Sequence, residues 1–188
     1  MFYLVGMPAV GKYTIAKELA ALTGARLVDN HSIANVIFNI VGVDGIKPLP
    51  DGTFDYVGRV RAVAVDAIRN LVPRDVSFVF TLVLVGDNER EAASFDRDVA
   101  LARDRESLFV PVLLRCETPE LMLRADNGSR QERMKLIDPA MVANINDTYA
   151  QFETDHPNTL RLETTNTPPA ENARHILAWA ERLDRAQP

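Results

Sequence analysis

A chain of 188 residues, 47% hydrophobic and 25% charged, has ordinary globular composition and the length of one domain with a sizeable core, and no repeat or low-complexity tract interrupts it. The net charge of −5 argues against broad electrostatic binding of nucleic acid and leaves a small molecule as the expected partner. The single cysteine, Cys116, ends an apolar run, forms no internal disulfide and suits a reducing compartment. No stretch reaches the about 18 uninterrupted apolar residues of a membrane span, and the N-terminus is expected to begin the fold in place of a charged leader with a cleavage site. The expectation is a cytoplasmic protein, monomer or homodimer, with no membrane contact.

The chain opens on a strand, Phe2-Tyr3-Leu4-Val5, that runs into Gly6-Met7-Pro8-Ala9-Val10-Gly11-Lys12-Tyr13-Thr14 and then into the helical pattern Ile15-Ala16-Lys17-Glu18-Leu19-Ala20. Gly6 and Gly11 permit a close approach and a backbone curl that side chains would block, so successive N–H groups can surround a phosphate chain at the positive end of the helix. Lys12 adds a full charge that follows the terminal phosphates. Gly6, Ala9, Val10, Gly11, Lys12, Tyr13 and Thr14 are therefore the expected phosphate-binding set. The motif usually ends Gly-Lys-Ser/Thr, its hydroxyl reaching magnesium. Here Tyr13 takes that slot and Thr14 becomes the metal-side hydroxyl.

Further strand-like runs fall at 25–28, 76–85, 108–115 and 159–163, separated mostly by helical spacings at about 12–23, 32–41, 54–71, 88–105, 118–125, 138–154 and 169–185, the alternation of a parallel sheet covered by helices. Asp29 follows the second strand, at the edge where open α/β sheets bind ligands. It is a candidate base, acceptor-orienting group or metal ligand, with helix N-capping as the alternative. Asn30 and His31 would flank the same crevice. Residues 41–52 are rich in turn formers and read as a loop walling an acceptor pocket. Arg59 and Arg61 start a helix and can hold an acceptor anion, although pairing with Asp55 accounts for Arg59 equally. Phe38, Ile40 and Phe54 hint at apolar walls. The third strand carries only Thr81 as a polar residue, Asp87 lying beyond the apolar run. The alternating charges from Asp87 to Glu106 read as an exposed helix face. Arg124, Arg130, Arg133 and Lys135 crowd around Asn127-Gly128-Ser129, a basic lid whose arginines suit phosphate oxygens. His156 and His175 read as surface residues, and the histidines and cysteine lack metal-ligand spacing.

In this order the motifs resemble the P-loop small-molecule kinases, a group that includes nucleoside monophosphate kinases, shikimate kinase, gluconate kinase and chloramphenicol phosphotransferase. Gly-Lys-x-Thr at 11–14, Arg-Leu-Val-Asp-Asn-His at 26–31, the stretch Leu113 to Arg124 and the tail Leu162 to Pro169 carry the likeness, which spans nearly the whole chain. The resemblance implies a three-layer α/β/α fold, one domain over 1–188 with a five-stranded parallel sheet in the order 2-3-1-4-5. It also implies an acceptor-side insertion at about 31–72 and a lid at about 124–138. It further implies ATP and Mg²⁺ as cofactors, magnesium near Thr14 and Asp29, nucleotide contacts from Arg124, and adenine held near Asn166 and Thr167. Lys12, Asp29, Arg130 and Arg133 would be catalytic. The implied activity is transfer of the γ-phosphate of Mg-ATP to a hydroxyl or phosphate of a small-molecule acceptor. The sequence departs from the pattern at Tyr13 and in lacking an acid on the third strand. Two alternatives stay open: a nucleotide-binding switch with little turnover, and a kinase that modifies an antibiotic or nucleoside. A nucleic-acid end kinase is disfavoured by the acidic balance.

Overall fold

The computed structural model describes residues 1–44, 47–125, 130 and 135–186. Its strands are β1 (Phe2–Val5), β2 (Arg26–Asp29), β3 (Phe78–Leu82), β4 (Val110–Arg115) and β5 (Leu160–Glu163). They form one parallel sheet in the order β2-β3-β1-β4-β5. The described helices are α1 (Lys12–Thr23), α2 (Asn30–Val41), α3 (Thr53–Leu71), α4 (Glu89–Asp104), α5 (Thr118–Ala125), α6 (Pro139–Thr148) and α7 (Pro169–Ala186). The expected fold and strand order hold.

β1 is apolar at every position because both faces of a central parallel strand are covered. Phe2 and Leu4 join a core with Ile15 and Leu19 of α1 and Ile176 of α7. Tyr3 and Val5 point the other way, among Phe80, Phe95, Leu101 and Phe109. Cys116 is buried in the first of these cores.

Register places the strand ends on one edge. Val5 lies beside Leu82 and Leu113, and Asp29 lies beside Thr81. The apolar run of the third strand continues to Val85, yet β3 stops at Leu82. Its neighbours end there: β1 turns into the glycine loop and β2 into α2, so nothing remains to pair with. Val85 instead forms an antiparallel bridge with Gln151, and the Gly86 N–H donates to Ala150 O at 2.7 Å. The same contact ends α6 early. A helix to residue 154 is predicted, but it stops at Thr148 and Tyr149 turns extended (φ −99°, ψ 132°).

α4 departs from its sequence reading. Its charged run contains Asp98, which is 2% exposed and pinned between Tyr3 Oη (2.5 Å) and Arg61 Nη2 (2.7 Å). Just beyond it, Arg105 is buried and donates to the carbonyls of Ile68, Val72, Pro73 and Val76 at 2.6–3.1 Å, closing the end of α3. Arg61 is thus bound to Asp98, on the face of the sheet away from α1. Arg59 lies 5.2 Å from the Tyr56 ring centroid, while Asp55 pairs with Arg90 at 2.9 Å. Phe38 is buried against Ala34 and Val57 between α2 and α3, whereas Ile40 and Phe54 are exposed. His156 is half-buried against Phe109, and His175 is exposed. Among the described residues no helix is long and apolar enough to cross a membrane.

Candidate nucleotide site

The loop from Gly6 to Gly11 leaves β1 under tight constraint. A Cβ at Gly6 would stand 2.6 Å from Leu114 O and 2.9 Å from Val10 Cγ1, so only glycine lets the loop pass over β4. Ala9 (φ 67°) and Gly11 (φ 97°) are left-handed, the geometry that turns consecutive N–H groups inward to form an anion cradle. Gly11 is the N-cap of α1, whose positive end faces the same concavity.

Lys12 folds back over this loop, its ammonium donating to Gly6 O at 2.7 Å and Met7 O at 2.9 Å. Its pKa is drawn down to about 7, first by burial, then by the charges of Lys135 and Arg130, with Asp29 opposing. The hydroxyl of Thr14 is exposed and donates to Gly11 O at 3.1 Å.

Asp29 occupies the N-cap position of α2 but makes no side-chain cap bond. Its buried carboxylate instead accepts a 2.7 Å hydrogen bond from Thr81 Oγ1, which in turn accepts from Asn30 N at 3.2 Å. The one polar residue of β3 therefore holds the acid of β2. Lys135 completes this corner: its ammonium is 4.0 Å from Asp29 Oδ2 and 4.6 Å from the Tyr13 ring centroid, with little of the side chain exposed. His31 stands close by, edge-on to Phe38 (ring centroids 6.2 Å). Burial and the charges of Lys135 and Lys12 hold its pKa at about 4 against the pull of Asp29, so its imidazole is neutral at pH 7.

On the other flank, Arg124 binds Glu120 Oε1 (2.7 Å), Thr164 O (2.7 Å), Thr165 O (3.1 Å) and Val10 O (3.4 Å). It ties the phosphate loop to the turn after β5. Thr164 Oγ1 lies 2.9 Å from Val10 O and 3.0 Å from Arg115 O, with one proton to donate. Asn166 is exposed in that turn, and Thr167 O accepts from the buried Asn172 amide at 3.2 Å. Arg130 donates to Leu136 O through Nε and Nη2 at 3.1 and 2.7 Å. Arg133 and most of the expected lid lie outside the described residues, as do residues 45 and 46 of the loop expected to wall the acceptor pocket.

The structure thus brings Lys12, Tyr13, Asp29, His31 and Lys135 to one corner, with Arg124 and the Asn166–Thr167 turn along the loop's opposite side. Sequence reasoning grouped Lys135 with the lid and assigned it no role of its own. It treated Thr81 as a missing acid. One signal was available for Thr81: strands two and three are neighbours in the expected order, and Thr81 is the one polar residue of the third, the only side chain there able to hydrogen-bond an acid that ends the second.

A five-stranded 2-3-1-4-5 parallel sheet with a glycine loop after β1 is the fold of the P-loop small-molecule kinases. Three solved structures share it: a sugar kinase from Janibacter sp. (20% identity, 98% of this chain and 94% of that one, TM-score 0.62), a gluconokinase from Sinorhizobium meliloti (15%, 98% and 93%, 0.62), and a shikimate kinase from Aquifex aeolicus (13%, 97% and 97%, 0.54). At these identities the likeness defines the fold alone. No protein-family model matches the sequence, and no curated protein matches it.

Proposed function

We propose that this protein is an ATP-dependent phosphotransferase that moves the γ-phosphate of Mg-ATP to a hydroxyl or phosphate of a small molecule. The observation that carries this reading is the juxtaposition at the β1–β2 edge. Lys12 sits on a glycine-locked anion cradle, and Asp29 is fixed by Thr81 in the adjoining corner. Phosphoryl transfer asks little covalent chemistry of a protein; it asks for an acceptor oxygen in line and for charge neutralised on the moving group.

On this reading the loop amides and Lys12 hold the β- and γ-phosphates, exchanging the Gly6 and Met7 carbonyls for phosphate oxygens. Asp29 orients the acceptor hydroxyl or takes its proton. Arg130, leaving Leu136 O, and Arg133 stabilise transferred charge, and the Asn166–Thr167 turn receives the base beside Arg124. Residues of about 31–72 supply the acceptor side and about 124–138 the lid, within one cytoplasmic domain.

Magnesium is implied by the chemistry, and the donors for it are few. Among the described residues no group of three or more His, Cys, Asp or Glu side chains is gathered to hold a metal. One carboxylate, Asp29, and the Thr14 hydroxyl fit an ion that keeps several waters and takes most protein-independent ligands from phosphate. Bound there, it would neutralise β/γ charge.

The test is ADP release from Mg-ATP across hydroxylated acids and sugars, nucleosides, nucleoside monophosphates and antibiotics, with Lys12→Ala as control. The expected result is release stimulated by one acceptor class and reduced on the order of 10²–10³-fold by Lys12→Ala. Nucleotide binding without stimulated release from any acceptor would favour the switch reading, which the absence of an acid on β3 motivates.

A further inference from the structure

α3 packs into the fold through Val57, Arg61, Val65 and Ile68, and its opposite side is open. At 3.6 residues per turn that open side is centred on Val63, with Arg59 and Asp66 along one flank and Tyr56, Ala67 and Leu71 along the other. Tyr56 is 56% exposed, Val63 71% and Leu71 80%. A solvated helix face is ordinarily filled with charged and polar side chains, and a β-branched residue at its centre lowers helix propensity without gaining burial. We infer that α3 is the contact surface of a homodimer, in which two copies of the helix meet antiparallel about a two-fold axis beside Val63.

The pattern is self-complementary, which is what a two-fold demands of one surface. Reversing α3 about Val63 brings Arg59 of one copy level with Asp66 of the other, and Tyr56 level with Leu71, each within about one residue's rise of 1.5 Å. A two-fold lying in the interface keeps each flank with its own kind. Both charge pairs therefore form along one edge, and both contacts of Tyr56 with Leu71 along the other. The middle carries the small side chains Ala62, Val63 and Ala67, which let two helices approach closely. Within its own chain Arg59 rests 5.2 Å from the Tyr56 ring centroid, and Asp66 accepts from the Asn70 amide at 2.8 Å. A guanidinium and a carboxylate each keep capacity for a further partner beyond these. The helix has 19 residues, so one helix pair buries less than the about 1,200–2,000 Å² of a stable interface, and association is expected to be weak, with Kd on the order of 10–100 μM.

The test is sedimentation velocity of the full chain at low salt, from about 1 to about 500 μM so as to bracket that Kd. The wild-type chain is expected to pass from monomer to dimer across this range. Val63→Asp sets two carboxylates against each other at the axis and is expected to raise Kd by about tenfold or more. Arg59→Asp and Asp66→Arg each oppose like charges at both symmetry-related pairs and are expected to weaken association by about tenfold. The double reversal, Arg59→Asp with Asp66→Arg, re-forms the pairs with their partners exchanged and is expected to return Kd to within about threefold of wild type. These side chains lie on an open helix face, so thermal melting of each variant is expected to stay near wild type, and it separates loss of the dimer from loss of the fold. A wild-type chain that stays monomeric at every concentration overturns the inference. So does a dimer that Val63→Asp leaves intact, or a double reversal that associates as poorly as the single ones, because either result puts the contact on another surface.

Discussion

Two polar clusters lie on this sheet, and they are built on opposite terms. On one face Tyr3, Asp98 and Arg61 are sealed in the core, with one cation, one acid and a hydroxyl that satisfy one another at 2.5 and 2.7 Å. At the strand ends Lys135 pairs with Asp29, Lys12 lies within reach of the charges of Lys135, Arg130 and Asp29, and backbone carbonyls accept from two of the cations: Gly6 and Met7 from Lys12, Leu136 from Arg130. The first cluster is complete without a partner. The second, among the described residues, holds Lys12 and Arg130 on backbone carbonyls that a phosphate can replace, and that exchangeable hold marks a candidate binding site more clearly than polarity or burial does.

The largest expected effect comes from opening the complete cluster. Asp98→Ala leaves Arg61 buried without its acid and Tyr3 Oη without its acceptor, and should destabilise the fold by about 3–5 kcal/mol in urea unfolding. The fraction that remains folded should bind nucleotide as before. Loss of binding without loss of stability would erase the distinction between the two clusters.

A smaller effect is expected at the corner of the site. Thr81→Val removes the donor to Asp29 and the acceptor of Asn30 N, which should cost about 1–2 kcal/mol of stability. It should also lower kcat more than it raises KM for ATP, because Asp29 is then free to leave the acceptor position. An unchanged kcat would remove Asp29 from the reaction and sharpen the comparison in favour of a purely phosphate-binding corner.

The smallest effect is a pH linkage. Lys12 releases its proton near pH 7 in the folded, ligand-free protein, against 10.5 ordinarily. Between these values the unfolded chain binds more protons, so ligand-free stability should rise with pH across this window and be insensitive to Lys12 below it. A bound phosphate keeps the ammonium charged. Nucleotide binding should therefore take up as much as one proton, and affinity should fall as pH rises past about 7. Titrations in buffers of different ionisation heat measure this uptake, and Lys12→Ala should abolish it. An uptake that survives this substitution would place the titrating group elsewhere in the cluster.

The geometry of the glycine loop was legible because its signals are local. Glycines, a lysine, a strand and a helix within about 20 consecutive residues state the backbone geometry and its charge together. Strand order was legible through resemblance, and the placement of Asp29 followed from it. The long-range pairings were not legible. Asp98 sits in a run whose alternating charges look solvated, and only the crossing of α4 over Tyr3, 95 positions away, makes it a core residue. Arg105 has no local signal either, since its four acceptors are carbonyls at the end of another helix. Lys135 is joined to Tyr13 and Asp29 only by tertiary packing, which its place in the sequence does not signal. β3 and α6 ended early for a similar reason, because pairing partners rather than propensity set their limits.

The ties that Arg124 and Thr164 make to Val10 O have a consequence for ligand length. The phosphate cradle and the turn proposed to receive the base are joined through hydrogen bonds that exist before any ligand arrives. Their separation is therefore a dimension of the folded protein, much as the span of a caliper locked at one setting. A nucleotide whose base and terminal phosphates match that span meets both ends at once, whereas a shortened one must forgo an end because the jaws do not close to follow it.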